Sequence, residues 1–261
     1  MRLKEKFRQL KKEGRKAFVA YVPFGFPNLK LTLPICLALE KGGADIIELG
    51  IPFSDPLADG PIIQQATVQA LASGANLDNF FTTLKQLKGS LNVPLVIMTY
   101  YNPVFKFGLE PFLKRIKACG VSACLIVDLP IEEAGRYIKQ ARKLDIDTVF
   151  FVTPTTSRER MRKIAKYARG FIYYISVTGI TGPKNIAVSP IAKEISSLKK
   201  FSCAPVCVGF GIHSSGQVAA VNKFSDGAIV GSALVQFIER NYRRKSFLNS
   251  LTAYTRRLCT K

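Results

Sequence analysis

Eight apolar runs recur along this 261-residue chain, and their alternation with helical patterns is what most limits its fold. The runs are AFVAYVPF (17–24), ADIIELGI (44–51), PLVIMTYY (94–101), SACLIVDL (122–129), DTVFFVT (147–153), GFIYYISV (170–177), PVCVGFGI (205–212) and GAIVGSAL (227–234). Each is almost continuously apolar, as strands of a parallel sheet covered on both faces must be. Helical patterns fill the gaps. KLTLPICLALEKGG follows the first run, and the long second connection holds two, GPIIQQATVQALASG and NLDNFFTTLKQLKGS. YNPVFKFGLEPFLKRIKACG and IEEAGRYIKQARKLD carry the third and fourth connections, and SRERMRKIAKYARG, opened by Ser157 as N-cap, carries the fifth. Eight strand–helix units in about 250 residues is the count and length of an α/β (β/α)8 TIM barrel. An open doubly wound sheet would carry a GxGxxG first turn, and PFGFPN is not one. No linker or composition break interrupts the pattern, so one domain over residues 1–261 is expected. Leu3, Phe7 and Leu10 fall at helical spacing, which predicts an extra N-terminal helix lying on the body.

The bulk chemistry narrows the function. No apolar run is long enough to span a membrane, and the basic start lacks the apolar stretch of a signal peptide. Six scattered cysteines form no CxxC pair, and Cys203 and Cys207 are read as flanking a strand. With one histidine, His213, no metal site is expected; His213 reads as a surface residue at a helix start. Reduced thiols fit a cytoplasmic protein. The net charge of +20 raises nucleic acid as an alternative partner. However, the excess collects near the ends, in 2–16 and 240–246, with no interleaved aromatic pattern. Solvated helix faces are the expected reading.

A TIM barrel places its chemistry at the C-terminal ends of the strands. There the second run ends in ELGIPFSDPLADGP (48–61), a proline-stiffened stretch carrying Glu48, Asp55 and Asp59. An acid that closes an apolar barrel strand needs a partner or a task. For Asp55 and Asp59 a plain turn-forming role stays open, since Asp commonly precedes Pro and Gly. The seventh and eighth runs end in GFGI and VGSA. Loops after strands seven and eight, with a helix N-terminus, form the usual phosphate site of this fold. Gly211 and Gly231 would let backbone N–H groups approach an anion, and Ser232 would add a hydroxyl. VTGITG after the sixth run, with Gly179 and Gly182, suits a lid. Asp128 also ends a strand and is assigned no chemistry.

ADIIELGIPFSDPLADGPIIQ resembles the signature of the tryptophan synthase α chain family. MTYYNPVF, LIVDLPIEEA, YYISVTGITG, GFGI and DGAIVGSALV follow in the family's order, so the resemblance spans nearly the whole chain. It implies a lyase that cleaves indole-3-glycerol phosphate to indole and glyceraldehyde 3-phosphate, in the last step of tryptophan biosynthesis. It implies no metal or organic cofactor in this chain. Pyridoxal phosphate is expected only in a partner β chain, within an α2β2 heterotetramer. By the resemblance, Glu48 and Asp59 are catalytic. Gly182, Gly211, Gly231 and Ser232 match phosphate binders; Tyr21, Tyr100, Tyr173 and Phe210 match pocket positions. Thr181 matches the lid threonine that meets the aspartate. Asp55 and Asn102 match positions that face or signal to the β chain.

The reaction explains the need for two acids. The cleaved carbon bond is stable until the indole ring is protonated at C3, and a glycerol hydroxyl must lose its proton. Glu48, flanked in sequence by Ile46, Ile47 and Leu49, reads as a desolvated acid of raised pKa that does both in turn. Asp59 is expected to stay ionised and accept the indole N–H. Two departures from the family stand out: Pro23 replaces a usual Thr, and Phe26 a usual Asp, both expected near the barrel mouth. They motivate an alternative, a catalytically weak α chain that acts mainly as activator of its β chain.

Overall fold

A computed structural model describes residues 2–175, 188–209 and 211–260, the side chains at 188–190 excepted. The elements run α1 (Leu3–Lys12), β1 (Ala17–Pro23), α2 (Thr32–Lys41), β2 (Ile46–Gly50), α3 (Pro61–Ala72), α4 (Leu77–Ser90), β3 (Leu95–Thr99), α5 (Tyr101–Phe107), α6 (Leu109–Ala118) and β4 (Ala123–Ile126). They continue with α7 (Gly135–Lys143), β5 (Asp147–Val152), α8 (Arg158–Tyr167), β6 (Ile172–Ile175), α9 (Val188–Lys199), β7 (Val206–Gly209), α10 (Ser215–Asn222), β8 (Gly227–Val230), α11 (Ser232–Asn241) and α12 (Phe247–Cys259). The eight strands close into one barrel in sequence order, every pair parallel, with β8 returning to β1. The expected (β/α)8 architecture is therefore present, with all eight runs as strands.

The strand period of two sorts the side chains into two cores. Ile46 belongs to the cluster inside the barrel, whereas Ile47 and Leu49 pack outward against the helices. Glu48 has the inward parity. It stands level with Tyr21 on β1 and Val96 on β3. Helix α1 does more than lie on the body. Leu3 and Leu10 are buried in the inner cluster with Val19, Val96, Val149 and Phe171, so α1 plugs the N-terminal end of the barrel. Burying each leucine contributes about 2 kcal/mol before entropy.

Local signals explain most boundaries. Ser157 accepts from Arg160 N at 3.3 Å and starts α8 as expected. Asn76 caps α4 in the same way, through Asn79 N at 2.9 Å. Pro61 opens α3, where its missing N–H is no loss. The third connection differs from the single pattern expected: Gly108, at φ 93°, breaks it into α5 and α6. The α7 pattern begins only at Gly135, with turns before it. Cys207 does not flank β7 but lies within it, facing the inner cluster.

Candidate active site

The C-terminal mouth of the barrel holds a cavity of about 160 Å³. Its walls are largely apolar: Ile63, Met98, Val127, Phe151, Ile175 and Ile229 line it. Tyr21, Tyr173, Asp59, Gly211, Gly231 and Ser232 add the polar surface. The sequence reading missed the apolar set. Its signal was parity: Met98, Phe151 and Ile175 sit two residues beyond the inward-facing Val96, Val149 and Tyr173 on the same strands.

Asp59 is held by its loop. The Tyr100 hydroxyl donates to Asp59 Oδ2 at 3.1 Å and accepts from Ala58 N at 3.1 Å. Gln64 Nε2 donates to the Asp59 carbonyl at 2.9 Å, tying the loop to α3, and Phe53 packs on Tyr100 with ring centres 5.4 Å apart. Burial pushes the Asp59 carboxyl up to about 6, and the Tyr100 hydrogen bond opposes that rise. Asp59 is thus raised rather than held at the usual carboxylate value, yet it still ionises below neutrality.

Glu48 is fully buried, and both carboxylate oxygens have no hydrogen-bond partner among the described residues. Desolvation, then the charge of Asp59, raises it from 4.5 to about 8. An acid so placed keeps its proton at neutral pH. Its surroundings are not the aliphatic neighbours in sequence, two of which face outward, but Tyr21, Tyr173 and Cys207, the groups it acts on electrostatically. Burial and the two acids raise both tyrosines, so they remain neutral phenols. Glu48 is not itself among the side chains lining the cavity; it occupies the layer below.

Two glycines make room for those tyrosines. A Cβ on Gly50 would stand 2.5 Å from the Tyr21 hydroxyl oxygen, and a Cβ on Gly209 would collide with the Tyr173 hydroxyl. Each ring leans over a glycine on the next strand, flanking the Glu48 layer. Opposite Asp59, Gly211 takes φ 73°, which side chains rarely adopt, and Gly231 caps α11 with Ser232 as its first residue. The free N–H groups and positive dipole end of α11 thus border the same cavity as Asp59.

The other anticipated residues fall elsewhere. Asp55 is exposed, accepts from the Ser54 hydroxyl at 2.5 Å, and makes no contact with the cavity. Asn102 is exposed on α5. Asp128 accepts from Tyr101 N at 2.6 Å and thereby anchors the start of α5. His213 is exposed, one residue before the α10 N-cap Ser214. Pro23 borders a small cleft beside Gly50, Phe53 and Tyr100 at the mouth. Phe26 does not: it is 2% exposed and packs in the outer core between strands and helices. Thr181, Gly182 and Phe210, with Gly179 and the rest of 176–187, lie outside the described residues. Among the described residues, no group of three or more His, Cys, Asp or Glu gathers as a metal site, and no helix is long and apolar enough to cross a membrane.

Comparison with known proteins agrees with this geometry. The family model described as tryptophan synthase alpha chain matches residues 7–259. The tryptophan synthase alpha chain of Methanocaldococcus jannaschii is 47% identical over 242 residues, covering 92% of this chain and 86% of its own length. That of Geotalea daltonii is 42% identical over 239 residues, covering 92% and 90%. The crystal structure of tryptophan synthase subunit alpha from Legionella pneumophila superposes with a TM-score of 0.91 at 33% identity, over 98% of this chain and 96% of that one. A structure of Mycobacterium tuberculosis tryptophan synthase gives 0.90 at 32% identity, over 99% and 96%. A barrel whose mouth holds a buried acid pair facing a glycine-lined helix start, with this degree of likeness along its whole length, belongs to the tryptophan synthase alpha chain family.

Proposed function

We propose that Glu48 and Asp59 divide the proton work of the family's lyase reaction in the cavity described above. The chain is a carbon–carbon lyase of tryptophan biosynthesis, cleaving indole-3-glycerol phosphate to indole and glyceraldehyde 3-phosphate. The apolar walls at Met98, Val127 and Phe151 suit the indole ring, and the α11 start with Gly211, Gly231 and Ser232 suits the phosphate. Glu48, protonated at neutral pH, rotates from its layer toward the cavity and delivers its proton to indole C3. Asp59, ionised, accepts the indole N–H and stabilises the positive charge on the protonated ring. The Glu48 carboxylate then takes the proton of the glycerol hydroxyl, the C–C bond breaks, and indole and the aldehyde leave. The proton count on Glu48 is restored at the end of the cycle.

One observation carries this assignment: a fully buried carboxyl with no partner among the described residues, close enough to a second carboxylate to feel its charge, under a cavity that a helix N-terminus also lines. Glu48→Gln should abolish indole release while leaving the fold intact. A normal rate from that variant overturns the assignment. The lid roles of Thr181 and Gly182 and the pocket role of Phe210 are part of the same reading.

A β chain carrying pyridoxal phosphate completes the proposed α2β2 enzyme, in the cytoplasm. Support comes from exposed apolar groups near the mouth: Leu57, 92% exposed, and Phe105, 67% exposed, in the segments that carry Asp55 and Asn102. The chain is taken as one domain over residues 1–261. The weak-activator alternative rests on Pro23, which borders the cleft at the mouth, and on Phe26, which is buried and lines neither that cleft nor the cavity.

A further inference from the structure

The opposite end of the barrel carries a groove that this chemistry does not use. It measures about 1080 Å³ and runs beneath the loops that enter β5 to β8, with α1 as its other wall. Lys4, Arg8 and Lys11 line it from α1 and Arg15 from the turn that follows, and Arg169 and Lys199 face it from the barrel. Some of these cations are neutralised. Arg2 pairs with Asp145, Lys199 with Asp226 at 2.9 Å, and Arg15 with Glu13 and Asp45 at 3.0 and 3.2 Å. Lys4, Arg8, Lys11 and Arg169 are exposed and make no ion pair among the described residues.

Lys4, Arg8 and Lys11 follow one another at i, i+4 and i+7, so they share one stripe of α1. Like charges at that spacing destabilise a helix, and a single acid on α1, Glu5, stands three residues before Arg8 to offset them in part. Across the groove, Arg169 brings a further unpaired cation toward the same space. The floor between them is apolar, with Phe7, Ala168 and Pro205. Acids line it as well, Asp145 and Asp147 before β5, Asp226 before β8 and Glu5 on α1. They would repel a long polyanion laid across the face, whereas a compact one fits between them. The volume is that of a small-molecule cleft.

We propose that this groove binds a small, multiply charged phosphate anion, such as a molecule bearing a di- or triphosphate group, through Lys4, Arg8, Lys11 and Arg169. The site is separate from the phosphate cradle at the mouth and independent of the reaction assigned there.

Calorimetric titration of the full chain with inorganic tripolyphosphate tests it, at low and at physiological salt. Saturable binding is expected, weakened by salt. The triple variant Lys4→Gln, Arg8→Gln, Lys11→Gln should bind at least about tenfold more weakly, and Arg169→Gln severalfold more weakly. Indole release should be unchanged in both, and saturating indole-3-glycerol phosphate should not displace the probe. The control removes the same charge from α7, where Arg136, Lys139 and Lys143 are exposed and do not line this groove: Arg136→Gln, Lys139→Gln, Lys143→Gln. That variant should keep wild-type affinity. No binding, equal loss in both triple variants, displacement by substrate, or a preference for a long single-stranded RNA over tripolyphosphate would each overturn the proposal.

Discussion

Replacing Glu48 by Gln should make the protein more stable as well as inactive, and the gain should grow with pH. The folded protein holds the Glu48 proton to about pH 8, against 4.5 for the free group. Between those values the unfolded chain is ionised while the folded chain is protonated. Folding therefore binds a proton, and wild-type stability falls as pH rises through this window. Each pH unit removes about 1.4 kcal/mol, so the whole window amounts to about 5 kcal/mol. Below 4.5 both states are protonated and the term vanishes; above about 8 it levels off. Gln carries no such proton, and its own burial cost is constant with pH. Urea unfolding of both proteins at pH 5, 7 and 9 reads the difference directly. The variant's advantage should rise by several kcal/mol from the first pH to the last. A difference that drifts by no more than about 1 kcal/mol, the error of extrapolation, means that Glu48 is not held protonated, and the acid role assigned to it fails with it.

Asp59→Asn should lose most of the cleavage rate in an indole-release assay, with the fold retained by circular dichroism. Tyr100→Phe should act more mildly and on the pH profile: the hydroxyl lowers the Asp59 pKa, so its loss moves the acidic limb of the activity curve upward. Gly50→Ala places a methyl 2.5 Å from the Tyr21 hydroxyl oxygen and should cost about 1–3 kcal/mol in chemical denaturation. Adding Tyr21→Phe should recover part of it, since contacts of 2.9 and 3.0 Å to the ring remain; additive losses would show that the two do not meet. Gly211→Ala forces a side chain into φ 73° and should raise KM for the phosphate substrate more than it lowers kcat.

The barrel was legible because each strand is apolar on both sides and each connection carries a helical period; no tertiary knowledge was needed to count to eight. The acid pair was legible from position, since strand ends in this fold face the mouth. What the sequence could not show was the company Glu48 keeps. Its chain neighbours Ile47 and Leu49 point away, and groups whose titration it shifts, Tyr173 and Cys207, come from strands far along the chain. Phe26 is a related case: it comes three residues after β1 ends, yet its side chain is buried and lines neither the cleft nor the cavity. Gly108 was readable only as one of many glycines, and its break between α5 and α6 emerges from a positive φ.

The seal at the far end of the barrel has a consequence for how the molecule is made. Gly170 lies under Leu3, and the Phe7 and Phe171 rings sit 6.3 Å apart, so α1 rests on residues that open β6. The ribosome releases α1 long before that seat exists. Until β6 is in place the helix has nowhere to settle, and its greasy side must wait in solvent or on a chaperone. The lower end is therefore sealed by a helix made well before its seat, and assembly should stall, with the interior open to water from below, whenever that helix is captured by something else first.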